Sequence, residues 1–205
     1  MKAPRGRILV FARAPAPGRC KTRLIPALGA AGAAALHRRL TQRTLAAAVA
    51  AGAEVELWCA PDVRHAFFVR CRRRFGVRLR RQPGGDLGRR MAAALAAALR
   101  EGSGAAALVG TDCPALSAAD LHAALATLTR KDCVLQPSTD GGYVLIGARR
   151  LERRALAGVA WSSTRELVQT RRRFARLGLS CGELAPRRDV DTPLDYRKAR
   201  RDGLL

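Results

Sequence analysis

Short apolar runs alternate with helix-length stretches along the whole chain, and this alternation constrains the fold more than any other feature. The runs 7–11, 53–60, 77–81, 105–110, 132–137 and 143–148 read as strands. Helices are expected near 30–51, 62–74, 87–101, 117–129, 163–177 and 192–201. Three of these carry start signals. Ser117-x-x-Asp120 and Ser163-x-x-Glu166 have the spacing of capping boxes, and Thr192-Pro193-x-Asp195 adds a proline at the first helical position. Apolar strands alternating with helices imply a mostly parallel α/β sheet covered on both faces. The stretch 105–112 (AAALVGTD) is expected at its centre, because a strand buried on both faces has no need of polar alternation. With 205 residues and no internal repeat or linker, the chain is expected to form one domain over 1–205.

Composition narrows the function classes. Formal net charge is +22, which would suit nucleic acid, a membrane surface or small polyanions. Yet of the 38 Lys and Arg residues only Lys2, Lys21, Lys131 and Lys198 are lysines, and the arginines are spread along the chain without interleaved aromatics. Solvated basic faces are therefore expected rather than a nucleic-acid footprint. No run approaches the roughly 18 apolar residues of a membrane span. The apolar stretch 8–12 is shorter than a signal peptide requires and is interrupted by Arg13, so a cytoplasmic protein is expected. The six cysteines show no C-x-x-C spacing and read as reduced, buried thiols rather than a zinc site.

Ligands of open α/β sheets bind beyond the carboxyl ends of the strands. The first such loop, PAPGRCKTRLIP at 15–26, fails the G-x-x-x-x-G-K-[ST] pattern, having one glycine, Gly18, and no glycine before Lys21. It nevertheless gathers Arg13, Arg19, Lys21 and Arg23, and these cations could clamp a phosphate. In VGTDCP, Asp112 follows a buried strand and is placed to hold a hard divalent cation; a pre-proline turn is the alternative. In RRDVDTP, Asp189 and Asp191 alternate as on an extended segment and could face the same side. Asp140-Gly141-Gly142 reads as a hairpin turn whose glycines could also admit a ligand, with Asp140 as a metal or substrate contact. Gly84, Gly85, Asp86 and Gly88 precede a helix whose first backbone donors suit an anion or a base edge. His37, His65 and His122 have no nucleophile nearby in sequence and receive no catalytic role.

Taken in order, VFARAPAPGRCKTRL, DLGRRM, VGTDCPALS, DGGYVLIG, WSSTRELV and RRDVDTPLD resemble the bacterial glycosyltransferase-A-type family often labelled radical-SAM-associated or arsenosugar-biosynthesis glycosyltransferases. The chain is also similar to phospholactate guanylyltransferases and, more distantly, molybdenum-cofactor guanylyltransferases. The resemblance covers nearly the whole chain. It implies a three-layer, Rossmann-like nucleotide-diphospho-sugar transferase fold and a metal-dependent transferase using Mg2+ or Mn2+.

The resemblance puts Lys21 and Arg23 on the nucleotide phosphates, in a loop that also includes Ala12, Arg13, Pro17 and Gly18. It adds Gly85, Asp86, Gly88 and Arg90 as a second nucleotide-facing loop, with Thr111 beside the metal ligand Asp112. Asp189 or Asp191 is implied as the other metal ligand. Asp140, with Gly141, Gly142 and Tyr143, is implied next to the transferred group. Lys21, Arg23, Asp112 and Asp140 then form the expected catalytic set. One departure is Arg89, which stands where an acidic residue is expected in Leu-Gly-x-Arg-Met. Glycosyl transfer from a nucleotide-sugar to a small-molecule acceptor is the leading expectation. The alternative is nucleotidyl transfer from a nucleoside triphosphate to a phosphorylated acceptor, releasing pyrophosphate; a nucleic-acid-binding role stands third.

Overall fold

In the computed structural model, strand β1 (Arg7–Arg13) lies between β2 (Glu54–Ala60) and β4 (Ala106–Val109), parallel to both. The structure describes residues 6–152, 154–161 and 163–205. Strand β3 (Arg78–Arg81) extends the sheet beyond β2, and β5 (Cys133–Pro137), β6 (Tyr143–Ala148) and β7 (Cys181–Glu183) complete the order β3-β2-β1-β4-β6-β5-β7. Only β6 runs antiparallel, against β4 and β5. The expected mostly parallel α/β sheet is therefore present, with β4 at its middle.

Strand side chains alternate between two cores, as a period of two requires. Ile8, Val10, Leu57, Val109 and Val134 join α1 (Ile25–Ala50), α2 (Ala66–Phe75) and α4 (Ala118–Thr127) on one face. Leu9, Phe11, Leu108 and Leu135 join α3 (Leu87–Arg100) and α5 (Glu166–Arg176) on the other. A third, smaller cluster packs the first half of α1 against Val190 and Ala199, the latter from α6 (Pro193–Arg201). Helix α1 is kinked at Gly29, whose φ of 67° and ψ of 166° leave helical space at no steric cost to a glycine.

Two of the three sequence-level caps form as expected. Ser117 and Asp120 make a complete box at α4, and Thr192 and Asp195 make one at α6. At α5 the expected start at Ser163 moves to Glu166: the Ser163 hydroxyl donates to the Ala160 carbonyl at 2.6 Å, and Arg165 becomes the cap. Five cysteines are buried and Cys181 is half-buried, all as free thiols. Burial pushes the Cys59 thiol up to about 12 and Cys113 to about 11, which disfavours the thiolate at both. No described helix is long and apolar enough to cross a membrane.

Candidate functional site

Between β1 and β4 the chain switches direction across the sheet, since β2 follows β1 on one side and β4 adds on the other. Crevices of this kind open at the carboxyl ends of the strands. The loop after β1 is tied down first. Ala14 N donates to the Ala60 carbonyl at 2.7 Å, and His37 Nε2 lies 2.9 Å from the Arg13 carbonyl. A carbonyl only accepts, so Nε2 carries the proton. Burial lowers the His37 pKa and keeps the ring neutral. His37 thus positions the end of β1.

The loop then turns through Lys21, the one non-glycine at positive φ among the described residues (φ 47°, ψ 43°). Its ammonium sits 2.7 Å from Asp112 Oδ1 and 3.2 Å from Asp191 Oδ1, and donates to the Val190 carbonyl at 2.5 Å. The Lys21 side chain is 3% exposed, against 46% for Asp112 and 43% for Asp191. Burial alone would lower its pKa, but the two carboxylates outweigh burial and hold it above its ordinary value. Residues 169 and 170 positions apart meet here because Val190 N donates to the Asp112 carbonyl at 2.9 Å. That bond pins the 188–191 segment against the end of β4. Val190 turns into the core, fully buried, while Asp189 and Asp191 face one cleft, as their alternation predicted.

The cleft has a volume of about 540 Å3. Arg23 lines it from the rim and makes no ion pair among the described residues. Asp140, Gly142 and Tyr143 form another wall, with Ser138, Ser163, Thr164 and Glu166. The Ser138 hydroxyl donates to Asp189 Oδ1 at 3.1 Å. Even so, burial first, and then the charges of Asp140 and Asp191, push the Asp189 carboxyl up to about 6. Asp140 Oδ1 accepts from Gly142 N at 3.0 Å, which shapes the turn. Tyr143 also lines a neighbouring, more apolar slot of about 240 Å3 that includes Phe11, Met91, Asp112 and Asp189.

Several expected residues lie elsewhere. Gly85 and Arg90 line a separate cleft of about 550 Å3 with Gln82. There Arg90 donates to Gln82 Oε1 at 3.0 Å, and the Gln82 amide is held by the Ala12 and Trp58 carbonyls. Asp86 caps α3 by accepting from Arg89 N at 2.8 Å. Pro17 and Gly18 are exposed on the loop after β1. Ala12 and Thr111 are buried, at 2% and 3% exposure. Gly88 serves packing: a Cβ there would lie 2.5 Å from the Trp161 ring and 2.6 Å from the Leu156 carbonyl oxygen. Gly141 is likewise required by close approach, since a Cβ there would collide with the Thr164 carbonyl oxygen at a φ of 93°. The hydroxyl wall of Ser138, Ser163 and Thr164 was missed by sequence reasoning, although Ser138 stands beside the DGG turn.

A provisionally assigned nucleotide-diphospho-sugar transferase from Desulfovibrio desulfuricans G20 is similar to this chain at 29% identity and a TM-score of 0.89, over 97% of this chain and 87% of that one. A nucleotidyl transferase from Methanothermobacter thermautotrophicus matches at 18% identity and a TM-score of 0.63, over 98% and 97%. The 4-diphosphocytidyl-2C-methyl-D-erythritol synthase of Anaerococcus prevotii DSM 20548 matches at 11% identity and a TM-score of 0.63, over 98% and 99%. At identities this low, the last two likenesses speak for the fold alone. No curated protein matches the chain. The architecture is that of the nucleotide-diphospho-sugar transferases, as the motif resemblance implied. A family model matches residues 43–163, from the second half of α1 through the cleft wall at Ser163, and by that match the chain belongs to the family described as "Uncharacterized protein conserved in bacteria (DUF2064)".

Proposed function

We propose that this protein is a metal-dependent transferase that moves a glycosyl group from a nucleotide-sugar to a hydroxyl-bearing small molecule, with residues 1–205 acting as one catalytic domain. The observation that carries the proposal is the convergence of Lys21, Asp112, Asp189 and Asp191 beside Arg23 at the sheet's switch point. The motif resemblance supports the narrower kinship with radical-SAM-associated or arsenosugar-biosynthesis glycosyltransferases.

The donor set fits a divalent cation that arrives with part of its own coordination shell. Among the described residues no three His, Cys, Asp or Glu side chains form a cage. Mg2+ usually takes only one or two protein carboxylates and leaves its other positions to phosphates and water. Asp112 with Asp189 or Asp191 would supply those carboxylates. Mg2+ or Mn2+ bound there would supply Lewis-acid stabilisation of the leaving nucleoside diphosphate. Arg23 on the rim would neutralise phosphate charge, and its planar guanidinium can do so bidentately. Asp140 Oδ2 makes no hydrogen bond among the described residues and is free to orient the acceptor hydroxyl or take its proton.

The lining of the cleft supports an acceptor that is recognised through hydroxyl groups. Among the described residues, Asp140, Glu166, Asp189 and Asp191 line it together with Lys21 and Arg23. A polyhydroxyl acceptor would meet carboxylate and hydroxyl partners there, at Asp140, Ser138, Ser163 and Thr164.

Thermal denaturation with nucleoside triphosphates and nucleotide-sugars, each with and without Mg2+ or Mn2+, tests the proposal. A ligand at 100 times its Kd should add about 2.7 kcal/mol of stability. Cation-dependent stabilisation by a nucleotide-sugar and not by the matching triphosphate is the expected result. Stabilisation by the triphosphate alone would decide for nucleotidyl transfer, and none by either class would sink both.

A further inference from the structure

We infer that the Lys21 ammonium is a resident counter-ion, occupying the cation's place between Asp112 and Asp191 until an incoming diphosphate draws it away. The inference rests on the cation reading above and adds an order of events to it.

An ammonium has three donors, and here all three are engaged, by Asp112 Oδ1, Asp191 Oδ1 and the Val190 carbonyl. None remains for a phosphate oxygen, so Lys21 can meet phosphate only by leaving this position. Its backbone is poised for such a move. The left-handed conformation at φ 47° is one a lysine seldom adopts, and nothing in the Lys21 side chain favours it intrinsically. The ammonium's bonds to Asp112, Asp191 and Val190 join the backbone bonds from Leu24 N to the Lys21 carbonyl and from Arg19 N to the Ala16 carbonyl in fixing the loop there. Asp112 and Asp191 are each nearly half exposed, so solvent-borne cations can reach them once the ammonium has gone. Arg23, two residues further on, stays on the rim and can meet the same phosphates.

Two cations cannot share this carboxylate pair without strong repulsion at such distances. A divalent ion alone must therefore displace Lys21 with nothing to receive it. A diphosphate offers Lys21 new acceptors while bringing ligands for the metal. Cation and diphosphate should consequently bind with positive, reciprocal coupling.

Equilibrium dialysis of Mn2+ against the full-length protein, with and without pyrophosphate as a base-independent probe, tests this. Lys21→Met removes the ammonium, and Lys21→Gly removes it while suiting the left-handed backbone, so at least one variant should fold. Without pyrophosphate both should retain Mn2+ at least about tenfold more tightly than the wild type. Lys21→Arg, which keeps the charge, should stay within about threefold of the wild type. Pyrophosphate should tighten Mn2+ binding to the wild type and add little to either neutral variant. Equal Mn2+ affinity of the wild type and the neutral variants would overturn the inference while leaving the cation reading intact. Retention of no Mn2+ by any of these proteins, even with pyrophosphate, would overturn both.

Discussion

Asp189 and Gly88 are each placed at a cost, and each cost can be measured. Burial and the charges of Asp140 and Asp191 raise the Asp189 carboxyl to about 6 from an ordinary value of 3.8. A carboxyl with a raised folded pKa binds its proton more tightly when folded, so ionising it destabilises the protein. That penalty is absent below about pH 4, grows between about pH 4 and 6, and is complete above. Two pH units at about 1.4 kcal/mol each set an upper bound near 3 kcal/mol, and partial exposure reduces this to about 1–2 kcal/mol. Asp189→Asn should therefore raise the melting temperature of the metal-free protein by about 2–8 °C at pH 7.5 and leave it unchanged at pH 4. An equal gain at both pH values would assign the effect to packing instead. Gly88→Ala should cost about 1–3 kcal/mol in a urea titration, because the Leu156 carbonyl 2.6 Å from the new Cβ cannot yield as a side chain would. Nucleotide affinity of the folded variant should be unchanged; lost affinity at full stability would return Gly88 to the ligand site.

At the level of elements, the α6 cap links fold to site. Thr192 Oγ1 and N both donate to Asp195 Oδ2, at 2.6 and 2.8 Å, directly after Asp191. Burial would raise the Asp195 carboxyl, but these bonds outweigh it and hold it below its ordinary value. Their contribution is thus present at neutral pH and lost as pH falls through the folded pKa. Thr192→Ala should lower stability by about 1 kcal/mol at pH 7 by chemical denaturation, and a change under about 0.3 kcal/mol would mean the box contributes nothing. This cap was legible in sequence because its residues are neighbours, and β1, β4 and β6 were legible because their interiors are unbroken apolar runs, whereas β2 and β3 interleave Glu or Arg with apolar residues. Strand β7 was not, since its three residues are half-buried or exposed and show no alternation. The Ser163 box was half right: Ser163 N does donate to Glu166 Oε1 at 3.3 Å, but the Ser163 hydroxyl is engaged by the Ala160 carbonyl and the helix begins only at Glu166. Within the site, Asp112, Asp189 and Asp191 could be chosen from their strand-end positions. The Lys21 bridge between two of them could not, because it depends on the Val190–Asp112 backbone bond, which leaves no mark in either segment. The glycines had the same ambiguity. Sequence shows that Gly88 and Gly141 are glycines, not whether the close approach is to a ligand or, as found, to Leu156, Trp161 and Thr164.

For the whole molecule, the contrast is between a basic surface and an acidic cleft. Net charge is +22, and arginines such as Arg38, Arg39, Arg72, Arg73 and Arg74 are exposed, while Asp140, Asp189 and Asp191 converge in one cleft. A surface of this kind attracts any polyanion through counterion release, without choosing among them. That attraction falls steeply with salt; six to ten phosphate contacts lose about 10³–10⁵ in affinity between about 50 and 200 mM. Contacts inside the cleft respond differently, because groups within about 3 Å of each other and partly withdrawn from water lie well inside the Debye length of about 10 Å at 0.1 M. A DNA duplex titrated at about 50 mM NaCl should therefore bind, and at about 300 mM it should no longer bind measurably. Over the same range the cation-dependent stabilisation by a nucleotide-sugar should persist, with its Kd weakened by less than about tenfold. Duplex binding that survived at 300 mM would make nucleic acid a specific partner and shift the +22 charge from solubility to function. Loss of both ligands in parallel would mean that the nucleotide, too, is held by the surface field and not by the cleft.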